Sequence, residues 1–488
     1  MANESPKLPA ATGDLDPEIL RSALHSAADW VADYIAHPER HAVLSRAEPG
    51  DLRGALPARA PAGAEPLQRI MDDFERLVLP GITHWNHPGF FAYFSVSASA
   101  PGILAELLTA ALNVNAMLWK TSPAATELEE VALGWLRDML GLPSEWFGVI
   151  TDTASISTLL ALAAAREAST DLAIRERGMA GRADLPVLRM YASDQAHSSV
   201  DKAAITLGLG RENVIRLPSD EAFRMRADAL ASAGDEDRAA GRRPLAVVAT
   251  TGTTSTTSVD PVRAIAEICR RERMWLHVDA AYGGAAAVAP EMRWVLDGAE
   301  LADSLVVNPH KWLFTPIDCS ALYVKDGATL KRAFSLIPDY LVTARQGEVI
   351  DYMDYGVQLG HRFRALKLWM VIRAFGAEGI ASRVRAHCAI ARELAQWIAA
   401  EPGWRVVAPV PLSVVCFRCV PDEGMSAREV DALNESIMHR VNASGEAYLS
   451  HTKLNGAFVL RLAIGNIRTE RSHVARAWDL LREAAAAR

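Results

Sequence analysis

Between about residues 98 and 374 the chain switches repeatedly between two hydrophobic periods, and this alternation limits the possible folds more than any other feature. Short apolar runs rich in β-branched residues occupy 147–151, 187–192, 214–217, 245–250, 275–279, 304–307 and 321–324. Helical periodicity fills 155–168, 200–207, 221–233 and 261–273. Continuous apolar runs suit strands covered on both faces, and parallel strands need crossovers long enough to hold a helix. The pattern therefore predicts an α/β fold with a mostly parallel sheet and helices on both sides. Gly208-Leu209-Gly210 follows a helix and lacks the third glycine of a dinucleotide fingerprint, so it reads as a turn.

The flanks differ. Residues 15–37 carry an apolar stripe of Ile19, Leu20, Leu24, Ala28, Val31 and Ile35; a Pro-rich stretch, 48–66, separates them from a second helix at 67–78. Two helices joined by a linker have little private core and must pack on something else. From 375 onward, amphipathic helices mix with strands near 405–408, 413–420 and 457–462, a small α+β domain. The expected division is 1–97, 98–374 and 375–488, and 488 residues suffice for two or three domains.

Composition excludes several classes of function. A formal charge of -8, from 51 basic and 59 acidic residues, with no basic patch, argues against a nucleic-acid partner. Five cysteines do not make a disulfide framework, so a reducing, cytoplasmic setting is expected. Cys416-x-x-Cys419 lies in a strand-like run, where positions three apart face opposite ways, so it reads as structural and no metal is expected. Residues 1–14 have neither a basic start nor an apolar core, and no run is long enough to cross a bilayer; no signal peptide or membrane span is expected.

Two of the strand ends carry chemistry. The run Trp275-Leu276-His277-Val278 ends in Asp279, and the run ending at Val307 leads into Asn308-Pro309-His310-Lys311-Trp312. Ligands of open α/β sheets bind at the carboxyl edge of the strands. An amine and a carboxylate delivered there are the two groups that pyridoxal phosphate most needs, one to bond its aldehyde and one to keep its ring nitrogen protonated. Either residue alone is more often structural, but the pair in this order is not.

Further blocks accompany these two: Thr83-His84-Trp85 with Phe90-Phe91-Ala92-Tyr93-Phe94, Ser122-Pro123-Ala124 running into Thr126-Glu127-Leu128-Glu129, Ser193-Asp194-Gln195-Ala196-His197-Ser198-Ser199, Gly252-Thr253-Thr254, Asp318-Cys319-Ser320-Ala321, Arg362-Phe363-Arg364 and Leu460-Arg461-Leu462-Ala463-Ile464. In these the chain resembles the group II pyridoxal-phosphate decarboxylases, and within them the aromatic L-amino-acid decarboxylases that act on tryptophan, dihydroxyphenylalanine or tyrosine. The likeness runs from about Leu15 almost to the C-terminus. It implies the aspartate-aminotransferase type of fold (fold type I) and a homodimer with active sites at the subunit interface, its N-terminal arm wrapping the partner.

The resemblance also implies roles for residues. Lys311, Asp279, His197 and Tyr340 would be catalytic, with His197 stacking on the cofactor ring and Tyr340, on a loop from the neighbouring subunit, protonating Cα. Ala154, Ser155, Thr254, Ala281, Asn308 and His310 would complete the cofactor site. The phosphate would lie on Ala154 and Ser155, where a helix N-terminus offers donors. Asp152 replaces a small residue there and is expected to point away or fix a neighbouring loop. Trp85, Tyr93, Phe94, Val96, Asn115, Met117 and Gly360, with His197, would contact the substrate. Gly360 leaves room for a large ring such as indole, while Val96, Asn115 and Met117 depart from the usual residues. Expected chemistry is decarboxylation of an aromatic L-amino acid to its amine, tryptophan slightly favoured over phenylalanine, tyrosine and dihydroxyphenylalanine. Alternatives are oxidative conversion to an aldehyde, transamination, a different amino acid, or an inactive binding module. Aldehyde synthases differ at the residue matching Tyr340 or His197, and this chain keeps both.

Overall fold

The computed structural model describes residues 14–336 and 348–487. Seven strands form the large sheet: β1 (Phe147–Thr151), β2 (Leu188–Ser193), β3 (Val214–Leu217), β4 (Arg243–Thr250), β5 (Trp275–Asp279), β6 (Ser304–Val307) and β7 (Ser320–Val324), in the order β1-β7-β6-β5-β4-β2-β3. All are parallel except β7, which runs antiparallel to both neighbours. Helices cover both faces, and β4 shows why its sequence is apolar throughout. Val247 and Ala249 pack with the helices Pro123–Leu140 and Val262–Glu272, whereas Ala246 and Val248 pack with Ala154–Ala168 and Ser199–Thr206.

The seven strands coincide with the expected runs to within two residues at either end. One helix does not. The pattern at 221–233 predicts a helix beginning at Glu221, but it spans Ala227–Ala239. Asp220 accounts for the shift, because its Oδ1 accepts the Ala222 and Arg224 N–H groups, both at 2.9 Å, and closes a turn first. Gly208 and Gly210 have φ of +74° and +83°, as a turn requires.

The second sheet contains β8 (Trp404–Val406), β9 (Val414–Cys419), β10 (Ser450–Leu454) and β11 (Ala457–Ala463), all antiparallel, in the order β10-β11-β9-β8. The helix Ala365–Ala400 is interrupted at Gly376 (φ +66°) between the two sheets in sequence. The segment ahead of the helix Ala100–Leu112 is stitched to the small sheet: the Ala463 N–H donates to Phe91 O and the Phe91 N–H to Tyr448 O, each at 2.9 Å. Helix Pro17–Ala36 is capped by Asp16, whose side chain accepts the Glu18 N–H, and buries none of its residues. The linker at 48–66 includes a single short helix, Asp51–Ala55. Among the described residues no helix is long and apolar enough to cross a membrane.

Candidate active site

A cavity of about 390 Å³ opens at the carboxyl edge of the parallel strands, where the small sheet meets them. Asp279 is the last residue of β5, and Lys311 follows β6 by four residues, on the single-turn helix Pro309–Trp312. The Ala281 N–H donates to Asp279 Oδ1 and the Asn308 N–H to Ala281 O, both at 3.1 Å, so the two strand-end loops hold each other. Gly252 and Gly283 let a third loop come as close. A Cβ on Gly252, whose φ is +93°, would lie 2.7 Å from the Gly283 nitrogen. Lys311 is half-buried, and loss of water around its amine lowers its proton affinity, while nearby Asp279 opposes that shift.

The helix Ala154–Ala168 begins at the rim of this cavity, directly after β1. Its N-cap Thr153 makes no side-chain cap, since both the Thr153 N–H (2.5 Å) and hydroxyl (3.1 Å) donate to Asp152 Oδ1. Asp152 thus fixes its own loop, and the first N–H groups of the helix remain for an anion. Thr254 and Asn308 line the same space, and the buried Asn308 Oδ1 has no partner among the described residues.

His197 reaches the cavity from the segment after β2. Its Nδ1 accepts the Ser199 N–H at 3.1 Å, which leaves the ring proton on Nε2, and burial lowers its pKa. His310 Nδ1 accepts the Cys319 N–H at 2.9 Å; burial, then Lys311, push its pKa to about 3, so this ring is neutral.

Phe94 stacks on Tyr282 at 3.8 Å, and Tyr282 on Trp312 at 4.7 Å; the Tyr282 hydroxyl meets Ser413 Oγ at 2.6 Å. Lys311 Nζ lies 5.3 Å from the Phe94 centroid. Tyr93 is held at φ +52°, an uncommon region for a residue with a side chain. Arg461 on β11 keeps it there, donating from Nη1 to Tyr93 O (2.5 Å) and from Nε to Ser255 O (3.0 Å), while its guanidinium sits 4.8 Å from the Phe94 ring. Arg461 is 3% exposed and its Nη2 has no partner among the described residues, a buried cation with a donor to spare.

The cavity therefore gathers Tyr93, Phe94, Ala154, Ser155, His197, Thr254, Asp279, Ala281, Asn308, His310 and Lys311. It also contains residues the sequence reading did not select: Tyr282, Ser255, Arg461 and the β10 side chains Ser450 to Thr452. Strand β10 escaped notice because Ser450-His451-Thr452-Lys453 is polar. The signal that finds it is Asn455-Gly456, a hairpin turn with φ of +50° and +82°.

Five expected substrate contacts lie elsewhere. Trp85 stacks on Phe90 at 4.3 Å, outside the cavity lining, and Val96 does not line it either. Asn115 and Gly360 line a separate cavity of about 710 Å³, and Asn115 Nδ2 approaches Met117 Sδ at 3.5 Å. Tyr340 lies outside the described residues.

A half-buried amine, a carboxylate beside it, a neutral imidazole on the wall and a helix N-terminus fit the aldehyde, ring nitrogen, ring face and phosphate of pyridoxal phosphate. Comparison with known proteins points the same way. The family described as pyridoxal-dependent decarboxylase conserved domain matches residues 49–420. Tryptophan decarboxylase 2 of Oryza sativa subsp. japonica is 41% identical over 96% of this chain and 95% of its own. Phenylacetaldehyde synthase of Arabidopsis thaliana is 40% identical, with 96% of each chain covered. The crystal structure of Oryza sativa TDC with PLP and tryptamine superposes with a TM-score of 0.93 at 38% identity, over 98% of this chain and 99% of that one.

Proposed function

The chain belongs to the group II pyridoxal-phosphate-dependent decarboxylases and is a carboxy-lyase of the aromatic amino-acid group, and from that premise we propose that it converts aromatic L-amino acids, tryptophan ahead of phenylalanine, tyrosine and dihydroxyphenylalanine, to their amines in the cytoplasm as a homodimer. The observation that carries the substrate class is the Phe94–Tyr282 stack beside Lys311, an aromatic wall at the reacting end of the cavity. Gly360 supports a large ring, since nothing closer than Asn115 Nδ2 at 3.8 Å faces the place of its missing side chain.

When bound, pyridoxal phosphate supplies a sink for the electron pair released as the carboxylate leaves. Lys311 would hold it through its side-chain amine. Asp279 would keep the ring nitrogen protonated, and Ala154, Ser155, Thr254 and Asn308 would hold the phosphate. His197, fixed by the Ser199 N–H, covers one ring face. Arg461 Nη2 anchors the anionic end of the substrate. Tyr340 returns the proton to Cα, a general-acid task open to tyrosine.

Two observations support a dimer. Ile19, Leu20 and Leu24 are over 40% exposed on a helix that buries nothing, and Leu104, Leu107, Leu108 and Leu112 are 43–60% exposed on the helix Ala100–Leu112. Asn115, Met117 and Gly360 stand apart from Lys311 within one chain, and a site shared between subunits brings both sets to one substrate.

A relative named phenylacetaldehyde synthase keeps a second reading open, oxidative release of an aldehyde. The presence of both His197 and Tyr340 favours the amine. Purified protein offered tryptophan, tyrosine, dihydroxyphenylalanine and phenylalanine is expected to release amine and carbon dioxide in equal amounts without consuming oxygen. Tyr340→Phe is expected to shift the product to aldehyde, ammonia and peroxide, with oxygen consumed. Wild-type protein forming aldehyde, or a Tyr340→Phe variant forming amine at the wild-type rate, overturns the assignment.

A further inference from the structure

Two of the sequence blocks have no part in the chemistry above, and the fold brings them together. Glu129, the last residue of Thr126-Glu127-Leu128-Glu129, is 1% exposed, and its Oε2 lies 2.7 Å from Nε2 of His361, the residue directly ahead of Arg362-Phe363-Arg364. The other carboxylate oxygen accepts the Ile150 N–H at 2.8 Å, on β1 at the edge of the large sheet. Tyr352 stacks on the His361 ring at 4.9 Å and 16°. The backbone of His361 grips the segment opposite: its N–H donates to Asn115 Oδ1 (2.9 Å), and its carbonyl accepts the Ala116 N–H (2.8 Å). Arg362 pairs with Glu106 and Arg364 with Asp318, so this stretch is anchored residue by residue.

We infer that Glu129 and His361 are positioning residues for substrate choice, a buried pair that sets the spacing of Asn115 from Gly360 without touching the substrate. The inference rests on the reading of Asn115 and Gly360 as substrate contacts. A carboxylate with both oxygens engaged and a ring pinned by a hydrogen bond and a stack leave His361 one orientation. Its backbone then fixes where Asn115 and Gly360 sit. Rigid placement of this kind determines selectivity, because discrimination between rings depends on small differences in fit.

The test compares kcat and KM for tryptophan, phenylalanine, tyrosine and dihydroxyphenylalanine in Glu129→Gln, His361→Phe and His361→Gln, with bound cofactor measured by its visible absorbance. Glu129→Gln keeps an acceptor for Ile150, and His361→Phe keeps the stack on Tyr352 but loses the donor. Both are expected to change the ratio of kcat/KM between tryptophan and the phenolic substrates by about fivefold or more, chiefly through KM, with cofactor content unchanged. His361→Gln, which retains an N–H donor, is expected to recover part of the wild-type ratio. A purely structural pair would lower every substrate by one common factor. Asn115→Ala and Gly360→Ser separate the two ways of failing. If they leave the ratios at wild type, the substrate-contact reading falls and takes the inference with it. If they shift the ratios while Glu129→Gln and His361→Phe do not, the inference alone is overturned.

Discussion

At the residue scale the reactive groups are ordinary side chains made unusual by their surroundings. Asp279 shares one oxygen with the Ala281 N–H and lies close enough to Lys311 to oppose the effect of burial on it. In the proposed role, replacing the carboxylate by an amide removes the charge that would keep the ring nitrogen protonated. Asp279→Asn is therefore expected to retain cofactor but lose about a hundredfold or more in kcat, measured as carbon dioxide release. Arg461 makes a different prediction. Lysine keeps the charge but cannot hold Tyr93 O, Ser255 O and a substrate anion together, so Arg461→Lys is expected to raise KM about tenfold or more. Equal KM in mutant and wild type would remove Arg461 from substrate binding. The placement of Lys311 and Asp279 was legible because one follows a strand and the other ends one, each in a distinctive block. Arg461 stood inside a recognised block with its role hidden, because an unpartnered Nη2 is a property of burial and distance, which no local pattern encodes.

Elements explain how such residues stay in place. The loops after β4 and β5 touch through Gly252 and Gly283, and a methyl group at either would strike backbone. Gly252→Ala adds a strained φ to that collision and is expected to cost about 1–3 kcal/mol, read as a lower urea midpoint, and to weaken cofactor retention because both loops line or border the cavity. The strands of the large sheet were legible from their apolar runs, since burial on both faces leaves few other sequences possible. The helix at Ala227–Ala239 began later than its pattern because Asp220 closes a turn first, a local hydrogen bond outranking periodicity. Strand β10 was missed for the opposite reason: its side chains line a polar site, and only the Asn455-Gly456 turn betrays it.

Across the whole molecule, deep burial of neutral imidazoles gives stability a direction in pH. Burial first of all lowers the pKa of His277 and His387 to about 4 and of His310 to about 3, against an ordinary value of 6.5. Between those limits the unfolded chain binds protons that the folded chain refuses, so stability rises with pH there. It is complete above about 6.5 and is lost as pH falls toward 4, at roughly 1.4 kcal/mol per pH unit for each proton taken up on unfolding. Urea midpoints measured from pH 7.5 to 4.5 are expected to fall steadily, and a flat profile would mean that these rings find water or new partners. The large sheet and the cofactor edge could be read from one chain. The separate cavity lined by Asn115 and Gly360 could not, because no local pattern says which segments meet around it.

The column of stacked rings has an optical consequence. Trp312 is bonded in sequence to Lys311, fully buried, and parallel to Tyr282 within 2°. Stacked and shut away from water, it lies one residue from the amine on which the proposed cofactor would sit, within range for its excited-state energy to pass to that chromophore. With Lys311 in its proposed role, the Trp312 share of the emission from twelve tryptophans would dim as the lysine is occupied and recover as it is vacated, a gauge of loading.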